Sequence, residues 1–135
     1  MGISLEQILE TAESLKASDI HITKGASCRY RVNGQLKAVD TEEVSVEDTK
    51  NLVTALLTER EKVILEKNGE VTFGRTIEGL GRYRVHILKQ QGAYGAVIHV
   101  INTKIPALEK TGLPESVCRL IHKKRGLVLV TGPAG

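Results

Sequence analysis

Apolar residues first recur at helical spacing: Leu5, Ile8, Leu9, Ala12 and Leu15 share one face of a helix over about residues 4–16. Ser4 is placed to cap it, and Gln7, three positions later, completes a capping box. The period then changes from helical to alternating. Ile20-His21-Ile22-Thr23 predicts a strand, Lys24-Gly25-Ala26-Ser27 a turn, and Cys28-Arg29-Tyr30-Arg31-Val32 a second strand. Asn33-Gly34 is a primed hairpin turn, so Gln35 to Val39 is the return strand. Helical spacing resumes over about residues 46–57, where Val46, Leu52, Val53, Leu56 and Leu57 lie together. Thr58 caps another helix, with Glu59 and Glu61 in the first turn where the dipole favours acids. Val63, Ile64 and Leu65 form its apolar side, and Asn68-Gly69 ends it.

Three strands follow, over Glu70 to Ile77, Arg82 to Leu88 and Gly95 to Ile101. Gly79-Leu80-Gly81 turns between the first two, and Lys89 to Tyr94 is expected to form a longer, flexible hairpin tip. Beyond them, Ile105-Pro106 to Pro114 has the proline-bounded character of a linker. Glu115 to Lys123 predicts a short helix, and Gly126 to Thr131 is a near-continuous apolar run of the kind buried on both faces in a parallel sheet. The expected fold class is α+β with a mostly antiparallel sheet. Its expected layout is one domain over residues 1–103, a linker over 104–113, and the start of a second domain over 114–135.

Composition narrows the function. Apolar residues make up 41% of the 135 residues, enough for a real core, but Trp is absent and there is one Phe and three Tyr. A base-stacking surface for single-stranded nucleic acid is therefore poorly supplied, and a net charge of +3 adds no case for a nucleic-acid partner. Cys28 and Cys118 lie far apart and the histidines are scattered, so no metal-ligand spacing appears. Two reduced, partly buried thiols of a cytoplasmic protein are expected. No apolar run approaches the ~20 residues of a membrane span, and the first residues lack the pattern of a signal peptide. Gly2 is no myristoylation site, since Glu6 stands where that signal takes Ser or Thr.

One stretch carries chemistry. Gly132-Pro133-Ala134-Gly135 follows the apolar run and supplies the first four positions of G-x-x-x-x-G-K-[ST], the phosphate-binding loop between a buried strand and a helix. Small residues are needed there because backbone N–H groups wrap the phosphates closely. The loop lysine and the magnesium-holding hydroxyl are not among these residues.

Several pieces taken in order resemble the secretion ATPase superfamily, in its branch of type IV pilus retraction ATPases. Ala17-Ser18-Asp19-Ile20-His21-Ile22 is similar to the family's S-D-[IL]-H motif, and Arg29-Tyr30-Arg31-Val32-Asn33-Gly34 to its R-x-[DN]-G hairpin. Gly81-Arg82-Tyr83-Arg84-Val85, followed by Gly95-Ala96-Val97 and Ile101, resembles its R-[FY]-R-V hairpin. Pro114 and Arg125 to Pro133 resemble the approach to its Walker A loop. The chain departs from relatives at Gly92 and His99, where they often carry arginine.

The resemblance implies a PAS-like N-terminal domain, a linker, and the first strand of a RecA-like ATPase domain cut within its Walker A loop. It implies a homohexamer on the cytoplasmic face of the inner membrane that uses ATP and Mg2+, works with a pilus platform protein, and powers twitching motility. Within it, Gly132, Pro133, Ala134 and Gly135 are a partial ATP-binding loop. Arg75, Arg82 and Arg84 are the candidate phosphate contacts: Arg82 and Arg84 sit two apart on one strand and so share a face, and Arg75 lies on the neighbouring strand. The piece itself is expected to be a monomer or weak dimer, without tightly bound nucleotide and without turnover. Two alternatives stand beside this reading: a related pilus-assembly or type II secretion ATPase, and a PAS-like ligand-binding module.

Overall fold

A computed structural model describes residues 4–132, which divide between Ile101 and Asn102 into two compact units. The first unit runs α1 (Leu5–Ser14), β1 (Asp19–Ile22), β2 (Arg29–Val32), β3 (Gln35–Ala38), α2 (Val46–Leu56), α3 (Glu59–Asn68), β4 (Glu70–Ile77), β5 (Gly81–Gln90) and β6 (Ala93–Ile101). The strands form one six-stranded sheet in the order β3-β2-β1-β6-β5-β4. Every pairing in it is antiparallel. The α+β, antiparallel expectation therefore holds.

Each of the three helices begins in a capping box, built by Ser4 with Gln7, Ser45 with Asp48, and Thr58 with Glu61. Each box satisfies two backbone N–H groups that would otherwise lack partners. At the other end of α3, Gly69 adopts φ 79° and its N–H bonds to the Leu65 carbonyl. A side chain there is strained by the left-handed backbone, so Gly69→Ala is expected to lower the unfolding free energy by about 1 kcal/mol in urea titrations.

Strand register builds the core. Phe73, Val85, Ile98, Ile20 and Tyr30 stand opposite one another in a row across five strands. A second row holds Val71, Ile87, Ala96 and Ile22. With Ile8, Leu9 and Ala12 of α1, Leu52, Val53 and Leu56 of α2, and Leu65 of α3, they form one core cluster, against which the partly buried Phe73 packs. All three helices thus cover the same face of the sheet. Alternation sends the intervening residues to the other face, which no helix of this unit covers.

The β5–β6 tip differs from expectation. The strands run on to Gln90 and Ala93, leaving a two-residue turn with φ 49° at Gln91 and 73° at Gly92. That geometry is the primed turn that matches strand twist. The extension is held from the side: Lys89 and Tyr94 both reach Glu66 of α3, and Lys24 Nζ donates to the Gln91 carbonyl at 2.9 Å.

In the second unit, a 3-10 turn spans Leu108–Lys110 and α4 spans Glu115–Cys118, continuing as a 3-10 turn over Arg119–His122. The strand expected over residues 126–131 is not formed, and Leu127, Val128, Leu129 and Val130 are all exposed. A strand buried on both faces needs paired strands at its edges and cover on its faces, and the described residues of this unit form no other strand.

The thiols also differ from each other. Cys28 is buried, and burial first, then the charges of Asp40 and Asp48, push its pKa up to about 11, whereas Cys118 is half-buried. A thiol reagent is expected to label one cysteine rapidly and the other only after unfolding. Two fast-reacting thiols would contradict this packing.

Candidate functional site

The helix-free face of the sheet collects most of the charged residues of the strands, while Lys37, Arg75 and Lys89 lie on the helix side. One row runs Gly74, Arg84, His99, Asp19, Arg31 and Leu36 across all six strands. The next holds Thr72, His86, Val97, His21 and Arg29, and Thr76, Arg82 and Ile101 make a third. Arg29, Arg31, Arg82 and Arg84 thus share a face on which Asp19 and Glu70 are the strand carboxylates.

Arg82 and Arg84 project side by side from β5 and both are exposed. Arg82 donates from Nη1 to Thr76 Oγ1 at 3.0 Å. Its guanidinium lies over Gly74, where an added Cβ would come within 3.3 Å of Nη2. The absence of a side chain in the middle of β4 therefore gives Arg82 its resting place. Arg84 has no hydrogen-bond or ion-pair partner among the described residues. An arginine carried on a rigid strand with its donors unspent is suited to a phosphate or carboxylate, which its planar fork matches.

Beside Arg84, Asp19 organises three neighbours. His99 Nδ1 lies 2.8 Å from Oδ1, Ser18 Oγ donates to Oδ2 at 2.8 Å, and Arg31 Nε is 3.3 Å from Oδ2. Burial pushes the Asp19 carboxyl up, but the hydrogen bonds from His99 and Ser18 and the nearby charges of His99 and Arg31 outweigh it and leave the group below its ordinary 3.8. Further along, His86 Nδ1 lies 2.7 Å from Thr72 Oγ1.

Arg75 is placed elsewhere. Its register partner is Tyr83, so it faces the helices and not Arg82 and Arg84. It donates to Glu61 Oε2 at 2.5 Å and to the Leu56 carbonyl at 2.9 Å, and its guanidinium stands 4.9 Å from the Phe73 ring centroid. Of the loop residues, Gly132 is exposed and belongs to the second unit. Pro133, Ala134 and Gly135 lie outside the described residues. Clefts of about 240 and 310 Å³ beside the β5–β6 tip are lined by residues of 23–24 and 89–95, not by the arginines. The arginines sit on open surface, and a ligand held there would need a second surface to enclose it.

No family model matches the chain. It is 33% identical over 133 residues to the type IV pilus ATPase PilU of Pseudomonas aeruginosa, covering 98% of this chain and 35% of that protein. It is 28% identical to the type IV pilus retraction ATPase PilT of the same organism, covering 98% of this chain and 39% of that one. A crystal structure of the pilus retraction motor PilT with bound ADP superposes with a TM-score of 0.80 at 38% identity, over 97% of this chain and 38% of the other. The chain thus spans little more than a third of the length of the curated relatives it matches. Described residues 4–132 hold no helix long and apolar enough to cross a membrane. Sequence and fold agree over nearly all of these residues: the chain is a homologue of the type IV pilus ATPases PilT and PilU.

Proposed function

We propose that this chain is the N-terminal part of a longer, hexameric ATPase motor of type IV pilus retraction, and that its open sheet face covers bound nucleotide. The observation that carries the reading is the Arg82–Arg84 pair on the helix-free face, with Arg84 unpaired among the described residues. Support for the ligand comes from the ADP held by the structurally similar PilT motor.

Bound ATP with Mg2+ supplies the phosphoanhydride bond that is broken; the chain's residues neutralise and orient its phosphates. Arg84 offers its full fork, and Arg82 reaches the same side once it leaves Thr76. Charge that develops in phosphoryl transfer is stabilised by such donors, and a rigid sheet carries their displacement to the rest of the domain. In this reading the domain is PAS-like, and Gly132, Pro133, Ala134 and Gly135 open the phosphate loop of a RecA-like domain. The exposed run Leu127 to Val130 becomes its buried strand when neighbouring strands flank it. The motor works in the cytoplasm at the inner-membrane face, against a pilus platform protein. Arg75 serves as a structural clamp and not as a phosphate contact.

By itself the 135-residue chain is expected to show no ATP turnover above a buffer blank, and to be a monomer or weak dimer. Two assays on the complete protein test the reading together: ATP turnover, and turnover with Arg82 and Arg84 both changed to alanine. Turnover that is absent in the parent, or unchanged in the double variant, would overturn it.

A further inference from the structure

We propose that His99, held by Asp19, is an oxyanion ligand beside Arg84, and that it binds only in its protonated form. The inference deepens the reading of the open face as a phosphate surface and rests on it.

Strand order creates the arrangement. His99 stands directly opposite Arg84 on one side and directly opposite Asp19 on the other. Directly opposed residues of antiparallel strands bring their Cβ atoms to about 5 Å, so the imidazole and the Arg84 guanidinium reach the same volume above the sheet. The imidazole is not free to turn. Its Nδ1 lies 2.8 Å from Asp19 Oδ1, and Asp19 is itself fixed by Ser18 Oγ at 2.8 Å and Arg31 Nε at 3.3 Å. The opposite edge of the ring, carrying Nε2, is left without a protein partner among the described residues, and the side chain remains 41% exposed.

This geometry settles the proton inventory. Asp19 is held ionised and accepts only, so Nδ1 must carry a proton to donate to it. In the neutral ring Nε2 is then a lone pair, which repels an oxyanion. Only the imidazolium turns Nε2 into an N–H donor. Binding an oxyanion between Arg84 and His99 therefore takes up one proton from solvent, at Nε2, with no other bond made or broken. Asp19 favours that imidazolium from one side. Opposing it are the cations of the face: Arg82 and Arg84 of β5, Arg31 and Arg29 of β2, and His86 and His21 when charged. A bound dianion offsets their repulsion, which couples ligand and proton.

The test uses the 135-residue chain with sulfate, a tetrahedral dianion whose own charge is constant near neutrality. Side-chain NMR follows Arg84 Nε and the imidazole nitrogens of His99 at about pH 6 and about pH 8. Sulfate should shift both residues at the lower pH, with Nε2 becoming a protonated donor, and bind about fivefold more weakly at the higher pH. His99→Gln should lose most of that pH dependence, and His99→Arg should keep the lower-pH affinity at both pH values. Asp19→Asn should weaken binding at the lower pH while leaving the Arg84 response. Arg84 shifting without any change at His99 would overturn this inference and spare the phosphate-surface reading. Silence at both residues would sink the two together. Equal pH dependence in wild type and His99→Gln would assign the effect to His21 or His86 and so reject it.

Discussion

Changing Arg84 to alanine in the complete protein is expected to lower ATP turnover by about 100-fold while leaving the urea midpoint of unfolding unchanged. The two halves of that expectation have one cause. Arg84 is exposed on β5 and lacks a partner among the described residues, so its removal leaves no buried group unsatisfied and costs within about 0.5 kcal/mol of folding energy. A guanidinium fork reserved for phosphate has its effect only when phosphate is present. Arg82→Ala should have the smaller effect, near tenfold, because Arg82 must give up its 3.0 Å hydrogen bond to Thr76 before it can serve. Unchanged turnover in the Arg84 variant would remove this residue from the site.

Changing Arg75 or Glu61 to alanine should do the reverse, lowering stability by about 3 kcal/mol without acting on the phosphate surface. The side chains of this pair are 27% and 16% exposed, and they tie three elements together. Glu61 closes the capping box of α3 at Thr58, and Arg75 of β4 holds both Glu61 and the last turn of α2 at the Leu56 carbonyl. Losing one partner strands the other half-buried, which is the costly way to break an ion pair. Burial alone would raise the Glu61 carboxyl; the Thr58 hydrogen bonds and the Arg75 charge win and hold it below its ordinary 4.5. A folded-state value below the unfolded one means stability that is present above about pH 4.5 and lost as pH falls through the depressed value. Urea midpoints should therefore drop between pH 6 and pH 3, and the drop should shrink in Glu61→Gln. An identical acid response in that variant would place the acid sensitivity elsewhere.

Most of the first unit was legible because its signals are local. Ser4 with Gln7, Thr58 with Glu61, Asn33-Gly34 and Gly69 each act within a few residues, and the structure uses them as caps and turns. The order of the hairpin tip is not local and leaves no mark in its own residues: Lys24 and Glu66, distant in sequence, hold Gln91, Lys89 and Tyr94. Leu127 to Val130 carried a true strand pattern, but pattern alone does not supply the flanking strands. At the site, the spacing of Arg82 and Arg84 revealed their shared face. Arg75 looked equivalent one strand away, yet strand register turns it to the helix side. The Asp19–His99 pair was invisible in the same sense, since residues 80 positions apart meet only because β6 lies next to β1.

In the proposed motor, the helix-free face of the sheet meets the phosphates of a bound nucleotide. A crystal structure of the complete protein with a non-hydrolysable ATP analogue and Mg2+ tests it most directly. Phosphate oxygens are expected within about 3 Å of the Arg84 guanidinium, with Arg75 still bound to Glu61. Phosphates resting against the helix side, or in contact with Arg75 while Arg82 and Arg84 face bulk solvent, would contradict it.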